Sequence, residues 1–228
     1  MWRVIVKRVL LLKPGVTSSR AVLGDYEHWF ARACGEVTLQ PVELHAGELP
    51  PPIDGFDGVI TTGSPLSVTA PTDWMHRAAD FLVDAAEQGK PVLGVCFGHQ
   101  LLAWRHGARV AKNPKGRELG TVFVELTDAG KKSPLLAGFP NRFDVQATHD
   151  DVVVQGTLGL EVLAGNEACG VQAFSIGERM FGVQFHPEMD AASIGYCIGT
   201  ATVEDRARAV ARETPWGERL LRQFIELC

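Results

Sequence analysis

A cysteine at the turn from a strand into a helix, with glycine two residues to either side, can do covalent chemistry, and Gly94-Val95-Cys96-Phe97-Gly98 is such a segment. The apolar run 91–95 ends there, and helical periodicity begins directly behind it, over 98–106. A sharp strand-to-helix turn leaves little room for Cβ atoms, which accounts for the glycines, and it lifts the central side chain to the open end of a sheet. The helix that follows aims its N-terminal amides and partial positive charge at the sulfur, favouring thiolate. A buried packing cysteine is the alternative reading of a lone Cys.

A thiolate nucleophile needs a base, and the base needs an orienting group. Of the seven histidines, His186 stands in Gly182-Val183-Gln184-Phe185-His186-Pro187-Glu188, at the end of an apolar run. Pro187 forces the residue before it into extended geometry. In an extended chain residues two apart project to one side, so Glu188 can reach the imidazole and fix its tautomer. Cys96, His186 and Glu188 are thus a candidate triad, provided that the chain folds back over the 90 positions that separate base from nucleophile. A surface His-Pro-Glu turn is the alternative. His99, His106, His149 and His186 offer no ligand pair at a spacing zinc motifs favour, so no metal site and no cofactor are expected.

The elements that must position these residues follow an α/β rhythm, short Val/Ile/Leu runs alternating with longer helical segments. Strands are expected over 9–13, 37–44, 57–62 and 91–95, the last a central parallel strand because it lacks polar alternation. Helices are expected over 25–34, closed by Gly35, over 74–88 with Gly89 past its end, and over 98–106. Short strands over 122–126, 143–147, 152–154, 162–164, 171–174 and 180–185, separated by Gly and Asp turns, suggest hairpins that are in part antiparallel. The tail, 203–228, returns to helix and is broken at Pro215. Its Trp216, Leu220, Leu221, Phe224 and Ile225 form an apolar face that either docks a partner or packs on the sheet. The fold class is therefore α/β: a doubly wound, flavodoxin-like mixed sheet flanked by helices, with a small antiparallel hairpin section and its active site at the carboxyl ends of the strands. No linker divides the chain, so 1–228 reads as a single domain.

With 228 residues, a chain of this size buries a core without disulfides or metal. Its net charge of −5, with no basic run longer than Lys131-Lys132, offers no footprint for phosphate backbones, and nucleic acid is set aside as a partner. The early apolar stretch 9–12 is too short for a signal peptide or a membrane span, so a cytoplasmic protein without membrane contact is expected. Five scattered cysteines without a C-x-x-C pair fit neither a disulfide framework nor a zinc knuckle. Cys34, Cys169, Cys197 and Cys228, with no glycine elbow or adjacent base, read as packing residues. Trp2, Trp29, Trp74, Trp104 and Trp216 read as core or interface residues.

Residues 91–100, Pro-Val-Leu-Gly-Val-Cys-Phe-Gly-His-Gln, together with the segment ending His186-Pro187-Glu188, closely resemble the class I glutamine amidotransferase family. Further pieces fall in that family's order: Thr61-Thr62-Gly63-Ser64-Pro65, Glu118-Leu119-Gly120, and Thr148-His149-Asp150-Asp151-Val152-Val153. Within the family the likeness is strongest to stand-alone proteins related to the amidotransferase domain of GMP synthase. The resemblance implies that Cys96 attacks the side-chain carbonyl of glutamine, that His186 relays the proton to departing ammonia, and that water releases glutamate from a γ-glutamyl thioester. It implies an oxyanion hole from the amides of Phe97 and the Gly63-Ser64 loop. It also implies substrate contacts from Gln100 and from the His149, Asp150 and Asp151 segment, which bind the α-amino and α-carboxylate ends. The residue-level alternatives are a solvating side chain for Gln100 and an Asp-rich turn for 149–151. His99 reads as structural.

Ser64 stands where many family members carry glycine; if that position needs positive φ, the serine carries strain of about 1–3 kcal/mol. No nucleotide-binding loop is present to receive ammonia. Three hypotheses follow: a stand-alone glutamine hydrolase that serves a separate synthetase or acts without one, a hydrolase of another γ-glutamyl bond, and a catalytically silent regulatory protein.

Overall fold

The computed structural model describes residues 6–154 and 159–228, which leaves Trp2 outside the described residues. In chain order these form β1 (Lys7–Lys13), α1 (Arg20–Leu23), α2 (Tyr26–Cys34), β2 (Val37–Glu43), β3 (Gly58–Thr61), α3 (Asp73–Glu87), β4 (Val92–Val95), α4 (Phe97–Arg105), β5 (Val110–Lys112) and β6 (Glu118–Leu126). There follow β7 (Arg142–His149), β8 (Asp151–Val153), β9 (Glu161–Gly165), β10 (Ala173–Ile176), β11 (Met180–Val183), α5 (Ala191–Thr200), α6 (Val203–Arg208) and α7 (Trp216–Leu227).

One sheet runs in the order β2-β1-β3-β4-β11-β10-β9-β6-β7. Its first five strands are parallel, and β10, β9, β6 and β7 continue it antiparallel. A separate antiparallel ribbon pairs β5 with β8. The order of the first five strands is the doubly wound pattern in which ligands sit outside the carboxyl ends. Successive side chains of a strand point to opposite faces, and β1 divides accordingly. Val9 and Leu11 join the core beneath α2 and α7, while Leu10 and Leu12 join the core beneath α3 and α4.

The tail differs from a helix interrupted only at Pro215. α6 ends at Arg208, and the chain then runs extended across β6 and β7: the Thr121 amide donates to the Val210 carbonyl at 2.6 Å, and Gln146 Nε2 to the Arg212 carbonyl at 2.7 Å. Backbone pairing to the sheet competes with helix here and wins. Leu220, Leu221, Phe224 and Ile225 of α7 are buried against the sheet, so that face is core and not a docking surface. Among the described residues no helix is long and apolar enough to cross a membrane.

Candidate active site

Cys96 lies between β4 and α4 with φ of 50°, alone among the described non-glycine residues in having positive φ. The glycines beside it are required by contact: a Cβ on Gly94 would lie 2.4 Å from the Gly98 carbonyl oxygen, and one on Gly98 would lie 2.5 Å from that of Thr61. The Cys96 amide donates to the Val183 carbonyl at 2.8 Å, and its own carbonyl accepts the first helical bond, from the Gln100 amide, at 3.0 Å. The sulfur is thereby fixed over the N-terminus of α4, where orphan amides point out of the helix.

His186 follows β11, the strand beside β4, and its amide donates to the Gln146 carbonyl of β7 at 2.7 Å. The long separation in sequence is closed by parallel pairing of β4 with β11, which sets Gly94 opposite Gly182 and Val95 opposite Val183. His186 Nδ1 lies 2.7 Å from Glu188 Oε1, both side chains being buried. Burial of the ring disfavours its charge, but the negative charge of Glu188 and then the sulfur of Cys96, with a hydrogen bond from each, outweigh this and hold His186 well above its ordinary value. The imidazole thus lies between a carboxylate and a sulfur that both favour its charged form. Behind it, α7 packs on the turn itself: a Cβ on Gly217 would lie 2.4 Å from the Pro187 carbonyl oxygen.

Gly63 lies against the same centre. A Cβ there would come within 2.7 Å of His186 Cε1, 3.4 Å of the Tyr26 hydroxyl and 3.6 Å of Cys96 Cβ. Ser64 does not have positive φ, so the strain that a required left-handed backbone would impose is absent. Its hydroxyl accepts from the Leu66 amide at 3.1 Å.

Tyr26, Ser64, Cys96 and His186 border a cleft of about 510 Å³ that also reaches Gln100, His149, Asp150 and Asp151. Gln100 is buried, and its Nε2 donates to the Asp151 carbonyl at 3.0 Å and to Gln184 Oε1 at 3.1 Å. It therefore braces the segment after β7. His149 is held by its own strand's neighbours, Nε2 at 2.7 Å from Glu118 Oε2 and Nδ1 at 3.1 Å from the Asp151 carbonyl. Glu118 also accepts from Asn166 Nδ2 at 2.7 Å and Gln172 Nε2 at 2.6 Å. Burial raises the pKa of its carboxyl, yet the bond and charge of His149, with Asn166 and Gln172, bring it below its ordinary value. Asp151 takes a bond from Ser67 Oγ at 2.5 Å and an ion pair from Lys112 at 3.2 Å, whereas Asp150 is exposed at the rim. His99 is fully buried with its ring 4.7 Å from that of Phe174, and burial pushes its pKa down to about 3, so it remains neutral.

Several cleft residues carry no signal in the motifs. Tyr26 owes its place to Asp25, which caps α2 and accepts from the Tyr26 amide at 2.9 Å. Arg117 and Lys112 stand at the mouth. Cys197 packs against the core as expected, but it is only half-buried and also borders the cleft, because α5, begun by the Asp190 cap, leads directly away from Glu188. Cys34 and Cys169 are buried. Among the described residues no group of three His, Cys, Asp or Glu side chains is placed to hold a metal ion.

The sequence pattern of the family described as glutamine amidotransferase class-I matches residues 25–196. A glutamine-hydrolysing GMP synthase of Aeropyrum pernix is 35% identical over 175 residues, 75% of this chain but only 32% of that protein. γ-Glutamyl peptidase 3 of Arabidopsis thaliana is 30% identical over 142 residues, covering 60% of this chain and 56% of the peptidase. One subunit of the glutamine-hydrolysing GMP synthase of Sulfolobus acidocaldarius is 32% identical over 167 residues, with 73% of this chain and 85% of that subunit covered. The chain thus spans about a third and about half of the first two relatives and most of the third. In fold it is similar to a glutamine amidotransferase of Thermotoga maritima, with a TM-score of 0.77 at 23% identity over 96% of each chain. By this match over most of its length, the chain belongs to the class-I glutamine amidotransferase family.

Proposed function

We propose that the chain hydrolyses the γ-carboxamide of glutamine, with Cys96 as nucleophile, His186 as proton carrier and Glu188 as the group that orients and charges the imidazole. The observation that carries this reading is the buried 2.7 Å contact of His186 with Glu188 beside the elbow that presents Cys96. Sulfur attacks the amide carbon and the carbonyl electron pair moves to oxygen. The tetrahedral intermediate expels ammonia with a proton from His186, leaving a γ-glutamyl thioester, and a water deprotonated by the neutral imidazole releases glutamate. The amides of Phe97 and of the Gly63-Ser64 loop receive the developing oxyanion, each donor contributing about 10²–10³ in rate. Backbone atoms of 149–151, braced by Gln100 and by the Glu118–His149 pair, hold the α-amino and α-carboxylate ends. The reaction needs no cofactor.

Ammonia passes to a separate synthetase subunit. This reading is supported by the Sulfolobus relative, which is itself one subunit of a synthase. The size of the cleft and the peptidase relative favour a second reading, cleavage of another γ-glutamyl amide by the same three residues. Time-resolved release of glutamate and ammonia from glutamine, beside Cys96→Ala, tests the first reading. Equimolar products that vanish in the variant support it, whereas no turnover with Cys96 still open to alkylation points to a silent regulatory protein or a missing partner.

A further inference from the structure

The lining of the cleft is of two chemical kinds. One comprises Lys112, Arg117, Asp150 and Asp151; the other is built by Val16, Thr17 and Ser18 after β1 and by Cys197, Thr200 and Ala201 of α5 and its end. All six residues of the second kind fall outside the family match at 25–196. The two pieces are joined by Tyr196, whose hydroxyl donates to the Ser18 carbonyl at 3.4 Å. Two of their three side-chain hydroxyls are occupied within the protein, Thr17 Oγ1 lying 3.0 Å from Ser19 Oγ and Thr200 Oγ1 donating to the Tyr196 carbonyl at 3.1 Å, while Ser18 is exposed. What this wall offers a ligand carries no formal charge. A cleft of about 510 Å³ is also larger than one amino acid needs, since pockets of roughly 300–1,000 Å³ take drug-sized ligands.

Reaction chemistry decides which part of the lining takes which end of the substrate. The α-ammonium and α-carboxylate, held by the 149–151 segment in the reading above, belong with Asp150 and Asp151. The leaving nitrogen must lie against His186, which gives it a proton. His186, the Tyr26 hydroxyl and Cys96 converge at Gly63, and Cys197 lines the same cleft. A substituent on that nitrogen therefore runs past Tyr26 toward Cys197. The Tyr26 phenol stays neutral there, because burial, and then the charges of Cys96 and Glu188, push its pKa well above the ordinary value.

We infer that the wall formed by residues 16–18 and 197–201 is a leaving-group pocket, and that the chain cleaves γ-glutamyl amides of small uncharged amines in preference to γ-glutamyl amino acids. This rests on the γ-glutamyl hydrolase reading above. The sulfur–carbon bond forms as the carbon–nitrogen bond breaks, the amine departs with the His186 proton, and water resolves the thioester to glutamate and free Cys96. A leaving amino acid would bring a carboxylate to this wall, where Arg117, the cation whose charge reaches Cys197, is exposed, so that water and salt screen it.

The test measures kcat/KM by glutamate release for glutamine, γ-glutamyl ethylamide and γ-glutamylglycine, in the full chain and in Ala201→Phe. The exposed position Thr200→Trp narrows the same wall should Ala201→Phe not fold. The ethylamide is expected to be cleaved at least tenfold faster than γ-glutamylglycine, and the ethylamide-to-glutamine ratio to fall at least tenfold in the narrowed variant. γ-Glutamylglycine cleaved as fast as the ethylamide, or a ratio unmoved by either variant, overturns the pocket while glutamine hydrolysis stands. Absence of Cys96-dependent glutamate from all three compounds overturns the hydrolase reading, and the pocket with it.

Discussion

Glu188 acts on Cys96 only through His186, and this sets what its loss should do. Glu188→Gln keeps the shape of the side chain but removes the charge that most strongly favours the imidazolium and leaves the amide free to select the wrong tautomer. We expect kcat for glutamine to fall about 10²–10⁴-fold with KM little changed, the signature of a group that works in the transition state and not in binding. Steady-state kinetics at neutral pH check this. Cys96→Ala should fall further, by about 10⁴-fold or more, and the double variant should be no worse than Cys96→Ala alone, because residues that act as a unit are not additive. Ser64 is a different case. Its backbone lies outside the left-handed region, so Ser64→Gly should leave the rate within about threefold and, by loosening the unfolded chain, cost about 0.4–1 kcal/mol of stability, read by chemical denaturation.

At the scale of elements, the triad turn is held from behind by the start of α7. Gly217→Ala would press a methyl group into the Pro187 carbonyl, which cannot yield without moving His186 or Glu188. A drop in kcat of at least tenfold, with thermal stability reduced by the roughly 1–3 kcal/mol of an overpacked core, is expected, and Ala78→Gly in α3, which packs in the core on the other face of the sheet from α7, should lower stability without that drop. The parts of the site legible in the sequence are those where one local geometry demands one residue type: the glycines of the elbow, Pro187, and the i, i+2 spacing of His186 and Glu188. The strands and helices around them, β1, β3, α3, β4 and α4, carried strong apolar periodicity and lie within a few residues of the expected ranges. α5 carried none. Ala191–Thr200 has two glycines, small side chains and no charge, so neither a helical stripe nor an alternation shows, and Cys197 could not be placed on the cleft. β5 is three residues long and reads as a strand only through its pairing with β8. The extended crossing at Val210–Arg212 is likewise set by partners in β6 and β7, far away in sequence.

The whole molecule places its chemistry on one edge of a sheet whose two faces are sealed by helices, so that the loops after β1, β3, β4 and β11 meet at a single cleft. Sealing has a consequence for pH. His99 is buried at the centre with its folded pKa pushed down to about 3 from 6.5, so between those values the unfolded chain binds more protons than the folded one. Stability therefore rises with pH across that window and is lost as pH falls from 6.5, by up to about 1.4 kcal/mol per unit from this group. His186 has the opposite sign: its raised value adds stability that is fully present below 6.5 and fades only as pH rises through the raised value, so it does not enter the acid window. Thermal unfolding between pH 6.5 and 5 should show a slope that His99→Asn at least halves. The central claim is that Cys96 is acylated by a γ-glutamyl group, and acid quenching during turnover of isotopically labelled glutamine, followed by mass spectrometry of the peptide containing Cys96, tests it most directly. A labelled γ-glutamyl adduct on Cys96, absent in Cys96→Ala and depleted by hydroxylamine, is the predicted result; glutamate released at full rate from Cys96→Ala, with no adduct on the native chain, would contradict it.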